Sequence, residues 1–297
     1  MTKKPITGAF PPVVTPFTAD GDVDFAAFQE NIAKYNETGL AGYVIFGSNG
    51  EYAYLDKQEK LDLVKAGVEA AAQDKLVIVG SGCESTRETI ELTNECARLG
   101  ADAALILTPN YYKDRMTKEV LKKHFLTVAD NSDIPIMLYS VPKFTGVTIT
   151  PDLVGILSQH PNIIGIKDSA GDVTQLALHV NMTGPDFNVL VGTANVLYPG
   201  LAMGAKGGIM ALANCCPREC VRMYQLYQEG KFYELRDLQC RLIPVNNAVT
   251  GTYGIAGLKL AMDMLGFKGG AVRLPLLSLN PQEKEELVKI LRTAQLL

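Results

Sequence analysis

The sequence has only three histidines, and neither these nor its six cysteines form a recognisable site. The three histidines stand far apart, and Cys215, Cys216 and Cys220 have no second group of Cys or His at metal-ligand spacing. Because zinc and iron sites need such paired groups, we expect no metal centre and no disulfide framework. We interpret all six cysteines as structural.

Long apolar runs and basic runs are also lacking. No uninterrupted stretch of about 18 apolar residues is present, which predicts no membrane-spanning helix. The N-terminal segment MTKKPITGAF has no apolar core of the kind found in signal peptides. The net charge is −4, and no basic run exceeds two residues, which argues against binding to nucleic acid or to an anionic membrane. We therefore expect a cytoplasmic protein that acts on small molecules.

What the chain does have is a regular alternation of short apolar runs and helical segments. In 297 residues, 47% of them hydrophobic, eight runs suit buried parallel strands. They begin near Ala9, Gly42, Leu76, Ala103, Ile136, Ile163, Val189 and Gly207. Eight consecutive βα units predict an α/β fold, a (β/α)8 TIM barrel. A doubly wound sheet is the alternative, but no glycine-rich phosphate loop follows the first strand.

Local signals place the ends of several helices. Asp24, Asp56 and Ser85 precede amphipathic segments and are typical N-cap residues, whereas Gly39 and Gly100 are placed like C-caps. Beyond the eighth strand we predict helices over Pro217–Gln228, Phe232–Asn247, Gly254–Leu265 and Pro281–Thr293. We therefore divide the chain into a barrel, residues 1–228, and a C-terminal helical extension packed on it, residues 229–297.

Lys167 is the most informative residue. It ends the apolar run of the sixth predicted strand, within NIIGIKDSAGDVT at 162–174, whereas nearly all other lysines and arginines occupy helix faces or loops. Desolvation disfavours an ammonium ion, so a buried lysine tends to become a neutral nucleophile that can form a Schiff base with a carbonyl substrate. The alternative is a structural ion pair with Asp168 or with a carboxylate on a neighbouring strand.

Other strand ends converge on the same rim, because the carboxyl ends of barrel strands carry the chemistry in this fold. Tyr139 ends the fifth strand, next to the sixth, and its phenol could relay protons to the amine of Lys167. Ser48 and Asn49 lie in a glycine-framed turn, GSNGE, whose polar groups could hold a carboxylate. The alternatives are a plain turn, a tyrosine that only fills the barrel, and a packing role for Tyr111 and its neighbour.

Five segments resemble the motifs of one family. They are GSNGE at 47–51, SGCEST at 81–86, TPNYY at 108–112, YSVP at 139–142 and GIKDSAGDVT at 165–174. Together they are similar to the pyruvate-dependent class I aldolase superfamily of dihydrodipicolinate synthase and N-acetylneuraminate lyase. The resemblance extends to AVTGTYGIAGLK at 248–259 and thus covers essentially the whole chain. Within the superfamily, the sequence most closely resembles the 4-hydroxy-2-oxoglutarate aldolases.

The resemblance implies a role for each matching residue. Lys167 matches the lysine that forms the imine with a 2-oxo acid, and Tyr139 matches the tyrosine that moves protons. The remaining matches are Ser48 and Asn49 for the substrate carboxylate, Ser48 also for the proton relay to Tyr111, and Ser169 and Gly192 for lesser substrate contacts. Tyr111 matches the aromatic residue that reaches a neighbour's active site in family tetramers, so the resemblance implies a homotetramer. No cofactor is implied beyond the imine itself.

Departures from the family motifs bear on the substrate. Where the synthases carry an arginine that binds the carboxylate of the aldehyde partner, this chain has Phe144, preceded by Lys143. The polyol-binding acidic residues of sialic acid lyases are also missing from the segment at 192–195. We therefore expect cleavage of 4-hydroxy-2-oxoglutarate, or a similar short 2-oxo acid, to pyruvate and an aldehyde such as glyoxylate. Dihydrodipicolinate synthesis, cleavage of a 2-keto-3-deoxy sugar acid and a non-catalytic 2-oxo acid sensor remain as alternatives.

Overall fold

Eight short parallel strands form a single sheet that curls into a barrel. The structure is a computed structural model and describes residues 6–297, so part of the N-terminal segment used above lies outside the described residues. The strands are β1 Gly8–Phe10, β2 Gly42–Ile45, β3 Leu76–Val79, β4 Ala103–Leu107, β5 Ile136–Ser140, β6 Ile163–Asp168, β7 Asn188–Val191 and β8 Gly207–Ile209. Each predicted strand start lies within one residue of the observed one.

The order of the strands is that of a (β/α)8 barrel. Strands β2 to β8 pair in sequence, and β8 pairs with β1. The remaining seam is bridged where Val13 N donates to Val44 O at 2.8 Å, and Val44 N donates to Pro11 O at 3.0 Å. The predicted fold class, a (β/α)8 TIM barrel with a C-terminal helical extension, is confirmed.

Twelve α-helices are found among residues 6–297. They are α1 Phe25–Asn36, α2 Lys57–Ala70, α3 Thr86–Arg98, α4 Lys118–Asp130, α5 Pro142–Thr145, α6 Pro151–Leu157, α7 Val173–Asn181, α8 Leu197–Ala202, α9 Pro217–Gln228, α10 Phe232–Asn247, α11 Gly254–Met264 and α12 Pro281–Thr293. A π-helical turn, Ala248–Thr252, joins α10 to α11. In this part of the chain, no helix combines the length and the apolar character needed to cross a membrane.

The helix ends follow the local signals in the sequence. Asp24 and Ser85 accept hydrogen bonds from backbone N–H groups in the first turns of α1 and α3, and Asp56 forms a reciprocal capping box with the glutamate three residues on. Gly39 and Gly100 follow helix ends with φ values of 83° and 101°. Of the four helices predicted beyond the eighth strand, only the third differs from its predicted range, since it ends at Met264, one residue earlier than expected.

Two hydrophobic clusters hold the barrel together. Side chains such as Phe10, Ile78 and Leu105 fill its interior. A larger cluster lies between the strands and the helices, and it includes Leu242 of α10 and Leu258 of α11. Because the extension shares this cluster with the barrel helices, the division at residue 228 remains a proposal about organisation.

The pairing of β5 with β6 contains one irregularity near its start. Ile136 pairs with Ile163, but Met137 pairs with Gly165, so Ile164 is an extra residue in β6. Beyond this bulge the pairing is regular, and Tyr139 lies directly opposite Lys167. Residues opposite each other on adjacent strands direct their side chains to the same face of a sheet. The two side chains therefore share the barrel interior.

Candidate active site

One cavity opens at the carboxyl ends of the strands, with a volume of about 600 Å³. Six of the seven predicted site residues line it, namely Ser48, Asn49, Tyr139, Lys167, Ser169 and Gly192. They come from the ends of β2, β5, β6 and β7 and the segments that follow. The structure thus brings together residues that are widely separated in the sequence, while their individual catalytic roles remain predictions.

The centre of the cavity is formed by a lysine amine, a phenol and a hydroxyl. Lys167 and Tyr139 are 3% and 5% exposed, and Lys167 Nζ lies 4.3 Å from the centroid of the Tyr139 ring. The Tyr139 hydroxyl lies 3.2 Å from Ser48 Oγ, within hydrogen-bond distance. This arrangement places a nucleophile next to a chain of two groups that can exchange protons.

The structure does not contain the ion pair between Lys167 and Asp168 that was the alternative interpretation. Asp168 accepts hydrogen bonds from His179 Nε2 at 3.0 Å, Gln175 Nε2 at 2.7 Å and Ala170 N at 2.7 Å. Burial alone would raise the pKa of Asp168, but these hydrogen bonds outweigh it and lower the pKa. Among residues 6–297, Lys167 forms no ion pair with any carboxylate.

Ser169 and Gly192 fit closely against each other at the ends of β6 and β7. A Cβ atom on Gly192 would lie 1.8 Å from Ser169 Oγ, so any other residue at 192 would displace that hydroxyl. The contact is tightened by a hydrogen bond of 2.6 Å from Gly192 N to Asp168 O. The glycine therefore keeps the Ser169 hydroxyl at the wall of the cavity.

Ser48 and Asn49 belong to a short 3-10 turn after β2. The turn spans Ser48–Gly50, and Gly50 N donates to Gly47 O at 2.9 Å. Thr15 Oγ1 donates to Gly50 O at 2.7 Å and fixes the far side of the turn. Both Ser48 and Asn49 reach the cavity wall, where a hydroxyl and an amide can bind a carboxylate.

The outer rim of the cavity is formed by α5 and by the extension. Phe144, on α5, is 63% exposed at this rim. The neighbouring Lys143 donates from Nζ to Thr250 O at 3.2 Å and so connects α5 to the π-helical turn. Among the described residues that line the cavity, the cationic side chains are Lys143 and Lys167, and none is an arginine.

Tyr111 is the one predicted site residue that lies outside the cavity. It is 78% exposed on the loop after β4 and packs edge to face against Tyr112, with ring centroids 5.0 Å apart. Glu84 anchors this loop by accepting hydrogen bonds from Asn110 N at 3.0 Å and Tyr111 N at 2.9 Å. The anchoring role of Glu84 was missed, because nothing in SGCEST distinguishes this carboxylate from a solvated one.

Sequence analysis also missed a second buried lysine, which lies on a helix and is an exception to the expected exposure of the other lysines and arginines. Lys259 on α11 is 2% exposed, and its Nζ lies 2.5 Å from Oε1 of the buried Glu51. Burial lowers the pKa of Lys259, and the carboxylate of Glu51 opposes this effect. Glu51 is the last residue of the GSNGE motif, but the helix sequence around Lys259 resembles any amphipathic helix.

A buried lysine beside a phenol at the carboxyl end of a (β/α)8 barrel is the arrangement expected of a class I, pyruvate-dependent carbon–carbon lyase. The family comparison agrees with this class. The model of the dihydrodipicolinate synthetase family matches residues 5–294. The chain belongs to the dihydrodipicolinate synthetase family.

Similar proteins match over nearly their whole length. A protein of Methanothrix thermoacetophila named 4-hydroxy-tetrahydrodipicolinate synthase is 38% identical over 285 residues, 96% of this chain and 95% of that one. A protein of the same name from Thermodesulfovibrio yellowstonii is 36% identical, with 98% and 99% covered. These relatives do not carry the name of the 4-hydroxy-2-oxoglutarate aldolases, so the finer resemblance drawn from the sequence is not supported by the comparisons.

Solved structures agree on the fold. The 4-hydroxy-tetrahydrodipicolinate synthase of Methylacidiphilum fumariolicum has a TM-score of 0.92 and 32% identity, with 98% of this chain and 96% of that chain covered. A prophage protein of the dihydrodipicolinic acid synthase family from E. coli K12, solved in complex with pyruvate, has a TM-score of 0.93 and 29% identity. The latter comparison covers 98% of this chain and 99% of that chain.

Proposed function

We propose that Lys167 forms an imine with the 2-oxo group of pyruvate or of a longer 2-oxo acid. The observation that carries this proposal is the unpaired, buried Nζ of Lys167, 4.3 Å from the Tyr139 ring centroid in a cavity open to small molecules. Amine addition to a carbonyl requires a neutral amine and a group that moves protons while water is lost. Tyr139 is that group, and no metal or separate cofactor takes part.

Cleavage then follows from the electron demand of the iminium ion. As the bond between C3 and C4 of the substrate breaks, its electron pair moves into the iminium group and gives an enamine. The hydroxyl on C4 loses its proton to Tyr139 and becomes the aldehyde. Ser48, 3.2 Å from the Tyr139 hydroxyl, passes protons to and from it. Protonation of the enamine at C3 and hydrolysis of the imine release pyruvate and free Lys167.

The 1-carboxylate of the substrate binds to the Ser48–Asn49 turn. The Ser48 hydroxyl, the Asn49 amide and nearby backbone N–H groups supply donors on one side of the cavity, and Ser169 lies on another side. Gly192 contributes by leaving room for Ser169. The pyruvate complex of the E. coli relative supports a 2-oxo acid as the ligand.

For the substrate, we favour 4-hydroxy-2-oxoglutarate or a similar short 2-oxo acid, which is cleaved to pyruvate and an aldehyde such as glyoxylate. The observation behind this choice is Phe144, whose ring lies at the rim of the cavity. The family resemblance implies that the synthases carry an arginine at this position. Without that guanidinium, bidentate binding of the carboxylate of aspartate semialdehyde is lost. A flexible lysine, Lys143, is what remains near this rim, and its Nζ already donates to Thr250 O.

The second candidate is the synthase reaction, condensation of pyruvate with aspartate semialdehyde. It is supported by the names of the relatives at 36–38% identity. Cleavage of a 2-keto-3-deoxy sugar acid is a third, since a cavity of about 600 Å³ has room for a longer chain. A non-catalytic 2-oxo acid sensor is disfavoured, because a binding module has no use for the Ser48–Tyr139–Lys167 cluster.

One experiment separates these candidates. The protein is supplied with a panel of 2-oxo acids, and pyruvate release is measured; pyruvate and aspartate semialdehyde are then supplied together, and the condensation product is measured. We expect the highest kcat/KM with 4-hydroxy-2-oxoglutarate and an unchanged rate in the presence of a chelator. Condensation as fast as cleavage would make the synthase the correct assignment, and binding of 2-oxo acids without any product would favour the sensor.

The proposed assembly is a homotetramer, as the family resemblance implies. The exposed Tyr111–Tyr112 pair is an aromatic surface of the kind that a second copy would cover. Light scattering on the purified chain measures the mass directly. A monomer with full activity would contradict both the tetramer and any role for Tyr111 in a neighbour's site.

A further inference from the structure

Glu51 directly follows the turn that carries Ser48 and Asn49, and the proposed reaction does not use it. Its φ is 55°, which is uncommon for a residue other than glycine. Its side chain is 0% exposed, so the carboxylate is removed from water. A backbone conformation of this kind persists only where surrounding contacts impose it.

The contacts that hold Glu51 come from the C-terminal part of the chain. Lys259 Nζ lies 2.5 Å from Oε1, and the backbone N–H of Arg273 donates to Oε2 at 3.0 Å. Both carboxylate oxygens are therefore occupied by groups outside the barrel strands. The turn after β2 is thus tied to α11 and to the segment that follows it.

Lys259 depends on Glu51 in return. Its Nζ donates to Ala271 O at 2.5 Å and lies 4.5 Å from the centroid of the Phe17 ring. In the described part of the chain, Glu51 is the only carboxylate paired with it. An ammonium ion is costly to bury without a paired charge, and removal of one partner leaves the other uncompensated. The two residues form one unit that joins the extension to the mouth of the barrel.

The opposite side of the turn is closed by the segment after β1. Thr15 Oγ1 donates to Gly50 O at 2.7 Å, and a Cβ atom on Gly50 would lie 2.9 Å from Val13 O. The turn is therefore held between a close backbone contact on one side and the side chain of Glu51 on the other. We expect a change in the position of Glu51 to be transmitted through the turn to Ser48 and Asn49.

We infer that the Glu51–Lys259 ion pair is a positioning device that holds Ser48 and Asn49 in the geometry that binds the substrate carboxylate. The inference rests on the proposed function of that turn and adds two positioning residues to it. Neither side chain lines the cavity, so both act through the turn and not on the substrate. Loss of the pair should weaken binding of pyruvate while Lys167 keeps its ability to form the imine.

The test measures the pyruvate concentration that gives half-maximal borohydride labelling of Lys167. The variant is the double substitution Glu51→Gln and Lys259→Met, which removes both charges and leaves neither one buried alone. We expect the half-saturating concentration to rise about tenfold, as for one weakened hydrogen bond to a charged group, while labelling at saturation changes by less than about threefold. Urea unfolding records the stability of each variant.

Glu59→Gln is the matched control. Glu59 pairs with the side chain of Arg273 at 2.6 Å in a partly exposed site, and glutamine keeps the capping box of α2. This variant breaks a neighbouring ion pair but leaves the carboxylate of Glu51 and both of its partners. Its half-saturating pyruvate concentration should equal that of the unmodified chain.

Four results would overturn the inference or its basis. A folded double variant that binds pyruvate like the unmodified chain would limit the pair to a structural role, and so would an equal loss in Glu59→Gln. If the double variant does not fold, the test uses Glu51→Asp, which keeps the charge but shortens the side chain by one methylene. Unchanged pyruvate binding in this variant would contradict positioning, and weaker binding would support it. An unmodified chain that pyruvate never labels would contradict the proposed function, and the inference with it.

Discussion

Two lysines of this chain are buried almost equally, but their surroundings differ. Lys167 at the end of β6 is 3% exposed, and Lys259 on α11 is 2% exposed. Lys259 lies against a carboxylate, a backbone carbonyl and the Phe17 ring. Lys167 lies against a phenol ring and an open cavity, and pairs with no carboxylate in residues 6–297. Burial by itself therefore does not mark a reactive amine.

The difference lies in the partner of each amine and in access from the cavity. Burial lowers the pKa of Lys259 and the carboxylate at 2.5 Å opposes this effect, but Lys259 does not line the cavity. Lys167 has no carboxylate paired with it in residues 6–297, and a substrate carbonyl can reach its nitrogen through the cavity. An amine that is buried, unpaired and accessible to a small molecule is the combination that suits Schiff-base chemistry.

Lys167→Arg is the most direct test of the difference between the two lysines. We expect turnover to fall to the uncatalysed background, because a guanidinium stays protonated and cannot form an imine. Pyruvate and borohydride should add mass to a peptide containing Lys167 in the unmodified chain, detected by mass spectrometry, and to no peptide in this variant. A label on Lys259 would reverse the assignment of the two lysines.

A smaller loss is expected from Tyr139→Phe, which keeps the ring beside Lys167 but removes the hydroxyl. The kcat should fall by about 10²–10⁴, the usual contribution of a positioned acid or base. The midpoint of thermal unfolding serves as the control and should change little, since the ring packing is kept. Normal turnover would leave Tyr139 with a packing role only.

Phe144→Arg tests the rim of the cavity and not its centre. It should raise kcat/KM for condensation of pyruvate with aspartate semialdehyde by about 10–100-fold, the value of a charge-assisted contact. The measurement is the ratio of condensation to 4-hydroxy-2-oxoglutarate cleavage, with Phe144→Leu as the uncharged control. If both substitutions change the ratio equally, the effect comes from space at the rim and not from charge.

Asp168→Asn tests whether the carboxylate that directly follows Lys167 in the sequence acts on the amine or only on stability. Because the hydrogen bonds from His179 and Gln175 lower the pKa of Asp168, its stabilising effect is complete above the ordinary aspartate pKa of about 3.9 and is lost as the pH falls through the lower folded value. The variant should lose stability at pH 7, by about 1.5–3 kcal/mol.

Urea unfolding between pH 7 and pH 2 measures this loss. The difference between the variant and the unmodified chain should shrink towards the acid end. Borohydride should still label Lys167 in the variant, because Asp168 is paired with His179 and not with the amine. Loss of labelling in a variant that remains folded would show that Asp168 controls Lys167 directly.

Sequence reasoning predicted the barrel and most of the cavity for a physical reason. Strand starts such as Gly42 and Ile136 follow from local runs of apolar residues, and the barrel topology then places strand ends together. Lys167 and Tyr139 could be found because a polar residue at the end of an apolar strand is conspicuous. Such signals are local and need no knowledge of distant partners.

What was missed depends on contacts between distant segments. Lys259 lies in GIAGLKLAMDM, where a lysine suggests a solvated helix face, and only the folded chain brings it to Glu51. The hydrogen bonds that Glu84 accepts from the loop after β4 are hidden for the same reason. No periodicity or motif encodes a single pairing of this kind, since the spacing between the partners in sequence is arbitrary.

The bulge at Ile164 has a further consequence. If the pairing continued from Ile136 and Ile163 without the bulge, Lys167 would lie opposite Ser140, whose hydroxyl accepts a hydrogen bond from Ile149 N outside the cavity. Side chains alternate along a strand, so the amine and the phenol would then point to opposite sides of the barrel wall. The bulge therefore determines which side of the barrel wall the Lys167 side chain faces. Substitutions in the loops around Phe144 can change the substrate and leave the pairing of Lys167 with Tyr139 unchanged.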